Sequence, residues 1–310
     1  MRKVILSISL CSALVAGLST MADEPTAPPL TPSSVIAAST PSDWRKPDQA
    51  KMMYMSIGGK LVVFELAQAF APNHISNLNT LVKDQYFDGL AVIRSQDNYV
   101  AQWGDPAEDE ATLKPLGKAL KRVNHEFYRA KQGLNIAKID SRDAYADEVG
   151  FVNGFAVGAD AKAKDARAWL THCYGALGVG RGMELDSGNS SSLYMVTGHS
   201  PRHLDRNVTL IGRALIGTEV LSSLPRGTGA LGFYESAEEL TKIDWVKMGS
   251  QLKPSEQLNI EVMRTDTPRF QDYVTARTHR LDDWFADPTG RIAVCNVGVP
   301  SRTSPPASDQ

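Results

Sequence analysis

The chain has 310 residues, with 33 Lys+Arg against 35 Asp+Glu and no concentrated basic tract. A net charge of −2 without a basic face speaks against phosphate-backbone binding, so no nucleic-acid partner is expected. With 42% hydrophobic residues, the chain can fill a sizeable core.

Arg2 and Lys3 precede an apolar run over 4–18, and Thr20-Met21-Ala22 supplies small residues for cleavage, which predicts an export signal over 1–22. The run is too short, and too closely followed by Asp23-Glu24, for a membrane span, so none is expected after cleavage. Loss of Arg2 and Lys3 would take the mature chain to a net charge near −4. Residues 23–50 carry prolines at 25, 28, 29, 32, 41 and 47 among Ser, Thr and Ala, and read as a Pro-rich flexible tether.

Residues 51–66 predict a β-hairpin. Met53, Met55 and Ile57 alternate with Met52, Tyr54 and Ser56, Gly58-Gly59 is a two-residue turn, and Leu61-Val62-Val63-Phe64-Glu65-Leu66 returns. After Pro72-Asn73, Ile75, Leu78 and Leu81-Val82 recur at helical steps. Asp88-Gly89 then turns the chain into an apolar strand, 90–94, that ends on Arg94.

Residues 107–170 read as an insertion. Leu116, Leu120, Val123 and Phe127 lie at helical spacing and predict a helix packed on the main body. Strands are predicted at 176–179, 193–197, 208–211 and 243–248. In 251–300, strands over 258–263 and 291–297 flank a helix started by Thr265-Asp266-Thr267-Pro268, with the stripe Phe270, Tyr273-Val274, Arg277, Leu281 and Trp284. This is a C-terminal β-α-β extension packed on the barrel, followed by a disordered tail over 301–310. Many short strands with few helices predict a mainly β fold, a closed antiparallel barrel with appended elements. Loss of the leader leaves Cys173 and Cys295, which an oxidising compartment could bridge or which could be two separately buried thiols.

The motifs Phe64-Glu65-Leu66, Ala71-Pro72-Asn73-His74, Tyr86-Phe87-Asp88-Gly89, Ile93-Arg94 and Asn98-Tyr99-Val100-Ala101-Gln102-Trp103-Gly104-Asp105 resemble, in order and spacing, those of the cyclophilin family. Leu204-Asp205, Leu210-Ile211-Gly212-Arg213 and Met248-Gly249 extend the resemblance, which covers roughly 52–106 and 172–250. The insertion and the extension are similar to those of a subset of large bacterial exported members. The resemblance implies an eight-stranded barrel over 51–250, capped at each end by a helix, with a substrate groove on its outside. It further implies peptidyl-prolyl cis/trans isomerisation of Pro-containing polypeptides in a periplasmic or secreted setting, without cofactor or metal.

Carried over residue by residue, the resemblance makes Arg94 the catalytic arginine. Tyr99 and Val100 line the proline pocket, Gln102 is the groove glutamine, and the backbone of Val179-Gly180-Arg181 pairs with the peptide. Tyr194 is the second pocket aromatic, with Met195 as the alternative under a one-residue slip. His203 stands for a tryptophan, and Leu204 is the pocket leucine. Three departures stand out: Ile93 replaces a histidine, Trp103 replaces a glycine and is expected to reshape the groove, and Ser192 or Leu193 stands where a second glutamine is usual. These leave open an alternative, a catalytically weak peptide-binding or chaperone module.

The chemistry suits such residues. A barrier of about 18–20 kcal/mol holds the amide planar because the nitrogen lone pair is delocalised. A guanidinium that donates to the prolyl nitrogen favours the twisted form, whose lone pair is freed, and arginine stays charged at any working pH. Rival constellations are poor: the glycines around 175–180 lack a βαβ setting, and His172-Cys173 lacks a second ligand pair at zinc spacing.

Overall fold

The computed structural model describes residues 30–107, 109–161 and 165–303; the expected leader lies outside them, as does the chain beyond 303. In chain order, helix α1 (Pro32–Ala37) and strand β1 (Trp44–Arg45) lead into the hairpin β2 (Met52–Ile57) and β3 (Lys60–Leu66). Helix α2 (Pro72–Lys83), β4 (Ala91–Ser95) and β5 (Val100–Gly104) follow. The inserted segment carries β6 (Arg129–Ala130), β7 (Ala137–Lys138), β8 (Glu148–Val152), β9 (Phe155–Ala159) and β10 (Arg167–Leu170). Then come β11 (Ala176–Val179), β12 (Leu193–Val196), β13 (Leu210–Ile216), the short helix α3 (Thr218–Ser222) and β14 (Thr241–Met248). Strand β15 (Ile260–Met263), α4 (Pro268–His279), α5 (Val294–Val297) and β16 (Ser301–Thr303) complete the described fold.

Eight strands close into an antiparallel barrel in the order β11-β12-β5-β4-β14-β2-β3-β13. Alternation decides what fills it. Met53, Met55 and Ile57 of β2, Phe64 and Leu66 of β3, and Ala101 and Trp103 of β5 point inward. From α2, Ile75, Leu78, Leu81 and Val82 close one end of the same core, and Leu221 of α3 joins it too. The outward residues of β2, Met52 and Tyr54, are buried as well, beneath Ile260 and Val262 of β15. A strand covered on both faces reads as a continuous apolar run, which is why 52–57 shows weak polar alternation.

Four expectations are corrected. The inserted segment is not helical: it forms a five-stranded sheet, β6-β10-β9-β8-β7. Over the supposed helix, backbone groups find partners elsewhere: Leu120 N–H donates to Asn77 Oδ1 at 2.7 Å and Val123 N–H to the Asp186 carbonyl at 3.1 Å. A left-handed Gly117 (φ +60°) breaks the helical path just after Leu116, and Leu120 is 61% exposed. Second, the chain from Thr31 to Lys51 is no loose tether. Thr31 caps α1, Val35 and Trp44 are buried against Phe270 and Tyr273 of α4, and Trp44 pairs with Met263. Two apolar anchors suffice to order a stretch whose prolines suit helix starts.

Third, 291–297 is not a strand. It contains the one-turn helix α5, and the partner of β15 is β16, beyond the Gly298 turn, so that residues 301–303 are strand rather than tail. Fourth, the α4 stripe stops at His279, where Arg280 adopts the left-handed region, leaving Trp284 82% exposed. Cys173 and Cys295 are joined by a disulfide across 122 residues, which ties the segment before β11 to α5.

Candidate active site

Backbone register builds one row across four strands: Arg94 of β4 faces Gln102 of β5, which faces Tyr194 of β12, which faces Gly178 of β11. The β4–β5 register slips by one residue between Val92 and Arg94, so Ile93 is the extra residue of a bulge. Such a bulge re-aims the next side chain, here Arg94, onto the outer face. Gly178 lacks a side chain for a plain steric reason, since a Cβ there would overlap the Tyr194 ring.

The outward residues line a groove of about 440 Å3: Arg94, Tyr99, Val100, Gln102, Gly180, Arg181, Tyr194, Leu204, Val208, Leu231 and Phe233. Of the ten residues assigned to the site from the sequence, eight therefore line it. Val179 does not, because alternation turns its side chain into the barrel core. His203 is exposed and stands at the rim, its ring stacked on Tyr99 with centroids 6.3 Å apart. Alternation also settles the choice on β12: Tyr194 lines the groove, whereas Leu193 and Met195 face the core. Trp103, expected to reshape the groove, is instead fully buried inside the barrel beside Phe64. Residue 103 shares its strand face with 101, not with 100 and 102.

Arg94 is half-buried and firmly held. Its Nε–H donates to the Leu231 carbonyl at 2.7 Å, Nη1 to Gln102 Oε1 at 3.2 Å, and Nη2 to Gln96 Oε1. Gln102 is oriented in turn by donating to Ser192 Oγ at 3.0 Å. The guanidinium carbon lies 5.5 Å from the Tyr99 ring centre and 5.1 Å from that of Phe233. Burial lowers the Arg94 pKa below its ordinary value, opposed by Tyr99, but a guanidinium remains charged at neutral pH. Of its five N–H groups, these bonds use three, which leaves one on each terminal nitrogen for a ligand.

Behind the groove runs a buried polar chain that motif reading did not find. Tyr194 Oη lies 2.8 Å from His172 Nε2, and His172 Nδ1 lies 2.8 Å from Asp205 Oδ1. Arg202 Nε donates to Asp205 Oδ2 at 2.5 Å, and its terminal nitrogens grip Asp143 of the insertion at 2.7 and 2.9 Å. Burial lowers the His172 pKa against the opposing pull of Asp205, so the ring is neutral at neutral pH. Burial alone would raise Asp205, but the His172 hydrogen bond and the Arg202 charge outweigh it and hold the carboxyl below its ordinary value. An ionised Asp205 only accepts, so Nδ1 carries the proton and Nε2 accepts from the Tyr194 hydroxyl. Burial raises the Tyr194 pKa, and the hydroxyl stays protonated.

Val208, Leu231 and Phe233 were not assigned from the sequence. Val208 lies between the matched motifs at 204–205 and 210–213, and its place on the groove could have been noticed there. Leu231 and Phe233 belong to the glycine-rich segment 227–233, where an exposed aromatic in a loop was the available signal.

The model of the cyclophilin type peptidyl-prolyl cis-trans isomerase family matches residues 52–261. Among solved structures, cyclophilin AquaCyp293 from Hirschia baltica is similar at 25% identity and a TM-score of 0.68, over 87% of this chain and 96% of that one. That likeness extends beyond the segment the family model matches. Two structures of a Cryptosporidium parvum cyclophilin type peptidyl-prolyl cis-trans isomerase, one with the dipeptide Ala-Pro, align over 64% of this chain at 14% identity. Their TM-scores are 0.40 and 0.41, and they cover 98% and 96% of those chains. No curated protein matches the chain. A matched family model over most of the chain, on a closed eight-stranded barrel with its arginine on an outer groove, leaves one conclusion: this chain belongs to the cyclophilin-type peptidyl-prolyl cis-trans isomerases.

Proposed function

We propose that Arg94 is the catalytic group of this isomerase and that its substrates are X-Pro bonds of exported proteins. The observation that carries the first part is the anchored guanidinium, with one N–H left on each terminal nitrogen beside an apolar pocket. In this reading Tyr99, Val100, Tyr194 and Leu204 hold the proline ring, and Gln102 and the backbone at Gly180-Arg181 hold the flanking peptide. As the amide twists, the prolyl nitrogen pyramidalises and its lone pair accepts from Arg94. No bond to the protein forms and no proton is transferred. The gain lies in binding the twisted amide more tightly than either planar form, through a guanidinium already held in place.

Two observations support export. Residues 1–22 have the order of a cleavable signal, and the Cys173–Cys295 cross-link suits an oxidising compartment. Among the described residues no helix is long and apolar enough to cross a membrane. Exchange spectroscopy on X-Pro peptides tests the catalytic role: Arg94→Ala should lose roughly 10²- to 10³-fold in exchange rate, or about 2–4 kcal/mol of transition-state stabilisation, while its circular dichroism is unchanged. Full exchange by that variant refutes the role of Arg94. Peptide binding without exchange by the wild type would instead favour a binding module.

A further inference from the structure

The segment 226–235 is a strap clamped along β4. Gly227 N–H donates to the Ser95 carbonyl and Tyr234 N–H to the Ile93 carbonyl, each at 3.0 Å, and Phe233 forms an antiparallel bridge with Arg94. Arg226 pairs with Asp97 at 3.0 Å. The approach is close enough to demand glycine: Gly232 sits at φ +76°, and a Cβ there would meet Gln96 Cα at 2.6 Å. Backbone hydrogen bonds rather than side-chain chance thus set where the strap lies.

Phe233, 38% exposed, is the shared wall of two cavities. One is the groove already described. The other, of about 590 Å3, has apolar walls from Ile93, Pro106, Tyr234 and Leu240, and two carboxylates, Asp105 and Glu235. No cation lines it among the described residues. Asp105 accepts the amides of Ala107 (2.9 Å) and Lys114 (2.5 Å), which orients the carboxylate without supplying a positive charge. The Lys114 ammonium turns elsewhere, to the carbonyls of Gln85 and Asp88. Glu235 accepts from the Thr228 hydroxyl at 3.3 Å.

We propose that the substrate groove continues past the Phe233 ring into this second cavity, and that the cavity takes a lysine or arginine side chain of the polypeptide flanking the isomerised X-Pro bond. The proposal rests on the isomerase reading of the first groove. An aliphatic stem fits the Ile93–Pro106–Leu240 wall, and a cationic head meets two carboxylates that lack a counter-charge there. Extended chain advances about 3.3 Å per residue, so a side chain two or three positions from the proline clears one aromatic ring. The side of the groove is also defined. In the order β11-β12-β5-β4, the strap lies beyond β4, on the opposite side of the groove from Gly180-Arg181. Ile93, which stands where the family has histidine, thereby becomes part of a binding wall.

The test is a panel of X-Pro peptides carrying a single Lys, Ala or Glu at each of three positions on either side of the proline, with kcat/KM measured by exchange at low ionic strength. On one flank, Lys should exceed Glu by roughly tenfold, and the ratio should shrink as salt is added. In Glu235→Lys the ratio should collapse or invert, whereas Asp283→Lys, the same charge change at an exposed site on the C-terminal extension, should leave it intact. A Lys:Glu ratio within twofold at every position, or one that survives Glu235→Lys, overturns the subsite while leaving the isomerase standing. Absence of exchange with every peptide overturns the groove assignment, and the subsite falls with it.

Discussion

Asp205→Asn should be among the most destabilising isosteric changes in this protein. The carboxylate takes four donors: His172 N–H at 3.0 Å and Nδ1 at 2.8 Å on one oxygen, Arg202 Nε at 2.5 Å and Trp169 Nε1 at 3.3 Å on the other. An asparagine can present its oxygen to only one of these pairs, and its amide then opposes two N–H groups on the other side. A buried donor left without an acceptor costs about 1–3 kcal/mol, and breaking one side of a buried ion pair costs about 3–5 kcal/mol. Solvent does little to screen the loss, because the Asp205 and Arg202 side chains are 2% and 7% exposed. Arg202 keeps its two bonds to Asp143, so the lower half of that range, about 3–4 kcal/mol, is the expected outcome. Against a total of roughly 5–15 kcal/mol this is a large share. Urea unfolding followed by far-ultraviolet circular dichroism at neutral pH measures it, with Arg202→Met and the double variant completing a cycle. The coupling between the two sites should be about 0.5–3 kcal/mol. A loss below about 1 kcal/mol for Asp205→Asn, or strict additivity with Arg202→Met, would refute the claim that this carboxylate anchors the wall of the groove.

The disulfide should stabilise by about 4–5 kcal/mol on the chain-entropy estimate for a closed loop of this length. Calorimetry of the oxidised and Cys295→Ala proteins checks this, and an unchanged Tm would contradict it. His172 should impose a pH dependence on folding. Its folded pKa lies below the ordinary 6.5, so the unfolded chain binds the extra proton as pH falls through that value. Stability contributed by the neutral ring is therefore complete above about pH 6.5 and declines below it, with a slope of up to about 1.4 kcal/mol per pH unit. Denaturant titrations of wild type and His172→Gln between pH 5 and 7 should diverge on the acid side; parallel curves would show that the buried ring titrates normally.

The barrel was legible in the residues because its signals are local. The Gly58-Gly59 turn, the apolar run of 52–57 and the Pro72 start of α2 each follow from residues a few positions apart. The groove was legible through ordered motifs, and alternation then separated Tyr194 from Met195 and moved Trp103 indoors. The failures share a cause. The spacing of Leu116, Leu120, Val123 and Phe127 fits a helix, but Asn77 and Asp186 capture the backbone groups such a helix would need. The Pro-rich segment reads as loose because the surface that buries Val35 and Trp44 comes from α4, more than 200 residues later.

Composition, turn residues and strand periodicity determined that this chain makes a closed β-barrel, and its motifs determined which residues face outward as a groove. Tertiary structure alone decided what surrounds that groove. It brought Leu231 to Arg94 across 137 positions, Asp143 to Arg202 across 59, and Cys295 to Cys173 across 122. Local pattern specifies which side of a strand a residue occupies. It does not specify which distant backbone carbonyl or carboxylate will be buried against that residue, because such pairings are selected by how whole layers pack and by the need to satisfy every polar group they bury.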